Sequence, residues 1–313
     1  MSITFGTMLS QVAGLFVLLV LGYLLNRLRL LPAETETVLS QTVTKLFLPA
    51  LLLFTFMEEC TPENLKSCGT LILYGGLFQA AGIALAVALA RLLTRDRPAV
   101  EGIYRYALAF PNTGGFGNPV VLALFGVSGL FQYQLYLLVN TFLCYLWGVP
   151  QLMPAHDRGG LRERLKELLN PGLMGLLLGA VLGLTGLAEA FPGAVRTTVE
   201  NLGGCYSVMA LLLTGFVIGD YSVLELFREK RTYVMAALRL LLIPGAFLLV
   251  LRALRLPETL CLWTCLVYAC PCGMNTVVFP AAYGEDTHPG ASLTLVTSTL
   301  AVFTIPLLVA LAQ

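Results

Sequence analysis

Apolar runs of about 20 residues, separated by short polar stretches, repeat along the whole chain, and that length at an α-helical rise spans a bilayer's hydrocarbon core. Reading the runs against charge, Gly and Pro predicts ten spans: Phe5 to Arg27, Glu36 to Met57, Cys68 to Leu93, Val100 to Gly126, Leu130 to Met153, Gly172 to Ala190, Glu200 to Gly219, Thr232 to Leu254, Pro257 to Tyr283 and Gly290 to Ala312. The clearly aqueous segment is Pro154 to Asn170, where Arg158, Arg162, Arg164 and Lys166 mix with Asp157, Glu163 and Glu167. This stretch predicts a short surface helix that bisects the chain.

Two spans are interrupted. Phe110-Pro111-Asn112-Thr113-Gly114-Gly115-Phe116-Gly117-Asn118-Pro119 and Cys270-Pro271-Cys272-Gly273-Met274-Asn275-Thr276 each put proline, glycine and polar amides inside an apolar run. Proline lacks an amide hydrogen and clashes with the preceding turn, and glycine makes straight helix costly. Such backbone is tolerated in a bilayer only where protein or a water-filled cavity satisfies it. Each half of the chain has five spans with the break in the fourth, so an odd number per half makes the second repeat inverted. Paired broken helices in corresponding halves point to a transporter's central site. The predicted organisation is residues 1–153 as the first repeat, 154–170 as a cytoplasmic linker and 171–313 as the inverted second repeat.

Composition agrees with the pattern: 57% of the 313 residues are apolar and 12% charged, and the mean hydropathy is +0.81. This is the composition of an all-α, polytopic membrane protein. A net charge of +1 argues against a nucleic-acid partner. Under the ten-span reading Arg27, Arg29, Arg91, Arg95, Arg97, the four basic residues of the central loop, Arg228, Lys230 and Arg231 fall on one side; Lys66, Arg196, Arg252 and Arg255 fall on the other. The positive-inside rule makes the first group cytoplasmic and both termini external. With no basic residue before it and no small-x-small cleavage site, the first run reads as a retained helix.

Charges inside apolar spans need compensation. Arg105 and Arg239 are open to a structural reading, snorkelling or pairing, because both fall towards cytoplasmic span ends. Lys45, deeper and four residues before Pro49, is the better candidate for a cavity-facing cation. Most of the eight cysteines fall in apolar segments and read as small hydrophobes. Cys60 and Cys68 flank the polar stretch Thr61 to Ser67, where a disulfide is conceivable. Soft-metal transport through Cys270 and Cys272 is a remote alternative. The two histidines, His156 and His288, lie in predicted loops, so no enzymatic set assembles and no cofactor is expected.

A helix restarting in mid-membrane presents unpaired amides and the positive end of its dipole, suited to a carboxylate. Asn118-Pro119 reads as an N-cap followed by proline at the first helical position, and Asn275-Thr276 as the cap of the second restart. Asn112 and Thr113 add neutral donors and acceptors.

The motif Phe110-Pro111-Asn112-Thr113 with Gly117-Asn118-Pro119 resembles the fourth-helix motif of the auxin efflux carrier family, which includes plant PIN proteins and bacterial organic-acid permeases. Pro271-Cys272-Gly273-Met274, Ala281-Ala282-Tyr283-Gly284 and His288-Pro289 are similar to that family's ninth helix and following loop. The resemblance implies ten helices in two inverted five-helix repeats, like those of bile-acid and sodium/proton carriers. Helices 1, 2, 6 and 7 would form a scaffold; helices 3 to 5 and 8 to 10 would form a transport unit with crossing helices 4 and 9. It also implies a homodimer, an elevator movement, crossing at Pro111 and Pro271, and substrate contact by Asn112. Asn140 falls where the plant proteins have a glutamine. Unlike related cation exchangers, the chain has no acidic residue from Ala109 to Leu124 or from Ala269 to Ala282, which speaks against sodium or proton coupling at the crossing. The functional expectation is an organic-anion carrier in a plasma or bacterial inner membrane, with an anion channel and a non-transporting receptor as alternatives.

Overall fold

A computed structural model describes residues 4–32, 34–190 and 192–313. Among the described residues seven helices are long and apolar enough to cross a membrane: α1 (Phe5–Arg27), α2 (Thr35–Glu59), α3 (Pro62–Leu93), α5 (Thr113–Leu152), α8 (Gly193–Ile218), α9 (Lys230–Ala253) and α12 (His288–Ala312). Between them lie α4 (Glu101–Ala109), the surface helix α6 (Leu161–Leu168), the shorter apolar α7 (Pro171–Thr185) and α10 (Glu258–Ala269), and α11 (Asn275–Ala282). Among the described residues there is no β-strand, only one isolated bridge.

The 40-residue α5 is two helices in one. Gly126, at φ 66° and ψ −162°, divides it, a backbone conformation that a side chain would strain. The π-helical turns Val43–Phe47, Thr113–Gly117, Cys144–Gly148 and Leu238–Leu242 each end two residues before a proline: Pro49, Pro119, Pro150 and Pro244. The wider turn shifts the preceding carbonyls away from the proline ring, so the helix continues past it.

Helix α3 starts earlier than the apolar run implies. Thr61 Oγ1 accepts from the Asn64 amide at 3.2 Å and Pro62 takes the first helical position, so the stretch read as a polar loop, Thr61 to Ser67, is a capped helix start. Cys60 and Cys68 are both free thiols; the disulfide left open by their spacing is absent.

Apolar side chains gain little by leaving lipid for protein, so close backbone approach through small residues must hold such helices together. Gly175, Gly179 and Gly183 form a ridge on α7 against α2. A Cβ on Gly175 would lie 2.4 Å from the Pro49 carbonyl oxygen, and one on Gly179 2.5 Å from that of Leu53. Likewise Gly22 of α1 and Gly215 of α8 press on backbone of the facing helix, with Cβ positions 2.1 Å from Leu212 O and 1.8 Å from Leu19 O. Helices α1, α2, α7 and α8 therefore pack as one set, while α3 lies along α4 and α5, and α10 along α9 and α12. At the outer edge of the first set Arg196 of α8 pairs with Glu58 of α2.

Candidate functional site

The two helix breaks meet. Pro111 and Cys272 form an antiparallel bridge, and the Asn112 amide donates to the Pro271 carbonyl at 2.8 Å. Phe110 (φ −119°, ψ 100°) and Cys270 (ψ 143°) leave their helices in extended conformation. The prolines bring no amide hydrogen into this buried crossing, and the Cys272 amide donates to Thr297 Oγ1 of α12 at 2.9 Å.

The C-terminal ends of α4 and α10 converge here, bringing two negative dipole ends together. Arg239 answers them. Its side chain, 0% exposed, donates from Nη1 to the Leu108 carbonyl at 2.6 Å and from Nε to the Cys270 carbonyl at 3.3 Å. Its guanidinium also lies 5.9 Å from the Tyr268 ring centroid. Arg239 is therefore the central cation, and of the two structural readings it follows pairing and not snorkelling, because the π turn of α9 places it in the core. Arg105, by contrast, is structurally paired, with Glu101 at 2.6 Å and Gln151 at 3.2 Å.

A second buried group completes this end. Gln79 Nε2 donates to the Ala109 carbonyl at 3.2 Å, while Gln79 Oε1 accepts from Asn140 Nδ2 at 2.7 Å and from the Tyr268 hydroxyl at 3.3 Å. Asn140 thus sits in a closed network that caps α4. Neither Gln79 nor Arg239 was singled out as a site residue from the sequence.

The restarting ends look different. The Asn112 carbonyl accepts from the Phe116 and Gly117 amides, so α5 restarts at Thr113 and not at Asn118-Pro119. The amides of Gly114 and Gly115 find no acceptor among the described residues, and neither does the Asn112 side chain make a hydrogen bond. Asn118 is instead inside the helix, its Oδ1 accepting from Gln134 Nε2 at 2.8 Å. Gly117 is required by contact: a Cβ there would fall 2.1 Å from the Tyr133 hydroxyl, which itself donates to the Thr113 carbonyl at 3.3 Å. At the second restart Asn275 and Thr276 do not cap. Asn275 Nδ2 donates to the Tyr106 hydroxyl at 2.7 Å, and Thr276 Oγ1 to the Gly273 carbonyl at 2.8 Å.

A cavity of about 140 Å³ opens at the first restart, touching Thr113, Gly114 and Asn118 and reaching α2 and α7 through Leu48, Leu52, Leu173 and Leu176. Pro271 and Cys272 are buried in the bridge, and Gly273 packs beside Asn112. Lys45 is exposed on the π turn of α2 and does not line the cavity. A larger cleft of about 560 Å³, between Asn26, Glu36 and Asp220, is remote from both breaks. The Cys270 and Cys272 thiols face different partners, the Tyr133 hydroxyl and the Ala107 carbonyl, and among the described residues no group of three or more His, Cys, Asp or Glu could hold a metal.

Helices of membrane length around two helix breaks that pair at one buried point are the architecture of a membrane transporter. The chain matches the family described as "Membrane transport protein" over residues 7–164 and 160–309, and it belongs to this auxin efflux carrier family. It is also 26% identical over 308 residues to an "Uncharacterized transporter" of Methanothermobacter thermautotrophicus, covering 95% of this chain and 96% of that one.

Proposed function

We propose that this transporter is a secondary carrier of small organic anions, carboxylates in particular. One observation carries the reading: the closing ends of the broken helices meet the Arg239 guanidinium, whereas the α5 restart, where the Gly114 and Gly115 amides and the Asn112 side chain have no partner among the described residues, opens through Thr113 and Gly114 onto a cavity. Free amides at a helix N-terminus favour an anion. Thr113, Gly114 and Asn112 would bind the carboxylate, and the second restart from Gly273 to Thr276 would complete the site when the carrier rearranges.

Counting α4 with α5 to Gly126 as one span, the remainder of α5 as another, and α10 with α11 as one gives ten crossings in two inverted repeats. The set α1, α2, α7 and α8 is the scaffold and the remainder the transport unit, with the cavity at their boundary, which suits an elevator. The carrier is a homodimer through its scaffold in a plasma or bacterial inner membrane, with both termini outside.

Flux into proteoliposomes tests the activity. A carrier saturates and shows counterflow between labelled and unlabelled carboxylate; conduction without counterflow means a channel, and binding without flux a receptor.

A further inference from the structure

We infer that the site selects short monocarboxylates over dicarboxylates. The inference rests on the anion-carrier reading and comes from the cavity walls.

The cavity of about 140 Å³ has room for a carboxylate and a short tail. One end carries the polar restart, Thr113 and Gly114; the walls beyond it are dominated by six leucines, Leu48, Leu52, Leu137, Leu138, Leu173 and Leu176, with the Tyr145 ring among them. No charged side chain among the described residues lines it.

The other polar side chains in the wall, Asn118, Gln134, Thr141, Tyr145 and Asn170, each already make an interaction within the protein. Gln134 donates to Asn118 at 2.8 Å, Thr141 Oγ1 donates to the Leu137 carbonyl at 3.1 Å, and the Asn170 Oδ1 accepts from the Leu173 amide at 3.0 Å, capping α7. A substrate's first carboxylate can meet the restart amides. A second carboxylate, three or four bonds away, meets leucine methyls or groups bonded elsewhere, and an ion removed from water without a partner is strongly disfavoured. A short alkyl tail fits the same leucines at no such penalty. The walls come from both α2/α7 and α5, so tail length is measured across the boundary between the two helix sets.

Calorimetric titration of the detergent-purified protein at pH 7.5 with butyrate, isovalerate, succinate, glutarate and butyramide tests this, because binding avoids leakage of protonated acids through liposomes. Butyrate and isovalerate should bind at least tenfold more tightly than succinate or glutarate, and butyramide at least tenfold more weakly than butyrate. In Leu173→Ala the optimum should move to a longer tail, hexanoate gaining relative to butyrate. Succinate equal to or tighter than butyrate would overturn the selectivity while leaving an anion carrier in place. Butyramide equal to butyrate, or no binding by any of the five, would overturn the anion reading as well.

Discussion

The amide of Asn112 donates to the carbonyl of Pro271 across 2.8 Å, so residues 159 positions apart in sequence share one backbone hydrogen bond at the centre of the molecule. The bond fixes the Asn112 backbone and leaves its side chain uncommitted. Each chain passes the crossing on a proline, so the bridge needs few further backbone donors in a region with little water to offer.

Because the side chain is free while the backbone is held, Asn112→Ala should fold normally and bind its anion about ten- to a hundredfold more weakly, the worth of one charge-assisted hydrogen bond of about 1.5 to 3 kcal/mol. Asn112→Asp should be worse, since a carboxylate repels the anion at nearly unchanged size. Affinity measured on monodisperse protein decides it: unchanged binding in Asn112→Ala removes this residue from the site.

The packing of α7 on α2 makes a prediction about folding alone. Gly179→Leu must push backbone apart, because even its Cβ would sit 2.5 Å from the Leu53 carbonyl oxygen, whereas Gly204 has nothing within 4 Å of the same position. Gly179→Leu should abolish the monodisperse peak in size-exclusion chromatography, and Gly204→Leu should preserve it. Two equal profiles would mean that the glycine ridge does not hold this helix pair.

Much of the architecture is legible in the pattern of residues. Proline and glycine inside apolar runs locate both breaks, because no other arrangement of those residues is cheap in a bilayer. That the breaks pair with one another is legible only through family resemblance, since periodicity says nothing of which segments touch. Arg239 stays open between snorkelling and pairing for a related reason: one arginine among leucines looks the same in both cases, and only the π turn and the two carbonyls it meets distinguish them. Asn118-Pro119 misled because Asn-Pro is good helix-start chemistry, yet the Asn112 carbonyl had already begun the helix five residues earlier. The polar stretch Thr61 to Ser67 carried the opposite ambiguity: a Thr-Pro start reads as loop until its cap is seen.

Orientation follows from the basic residues. A cysteine at Arg162 should react with an impermeant thiol reagent only after cells are opened, and one at Gln313 should react from outside intact cells. The reverse pattern would invert the assignment. Background reaction is controlled by a parent protein carrying Cys68→Ser, Cys144→Ser and Cys205→Ser, because these thiols are not buried.

At the polar edge Asp96, between α3 and α4, receives Arg231 Nη1 at 2.8 Å, and Arg97 lies 3.7 Å from Glu229. The hydrogen bond from Arg231 holds the Asp96 carboxyl below its ordinary value. A lowered carboxylate pKa means that the pair's contribution is complete above the unfolded value of about 3.9 and is lost as pH falls through the lower folded value. The difference in melting temperature between wild type and Asp96→Asn should be small, because the pair is exposed, and constant from pH 8 to 5. A difference that changed between pH 7 and 6 would show that another group controls this contact.

Arg239 makes the sharpest demand, because two functions are asked of one buried side chain. It satisfies the Leu108 and Cys270 carbonyls, and its charge stands where two helix C-termini would otherwise draw a cation from solution. Arg239→Met leaves both carbonyls buried without that donor, at about 1 to 3 kcal/mol each, so the melting temperature should fall by several degrees or more. Arg239→Lys keeps the charge but loses the planar fork that reaches both carbonyls, and should lie between the two. With the cation built in, anion flux by the wild type should persist when sodium is replaced by choline, and should respond to membrane potential, each net charge moved being worth about 2.3 kcal/mol per 100 mV. The two parts fail separately. Undiminished stability in Arg239→Met would deny the side chain its structural task; a strict sodium requirement in the wild type would show that its charge does not replace a bound ion.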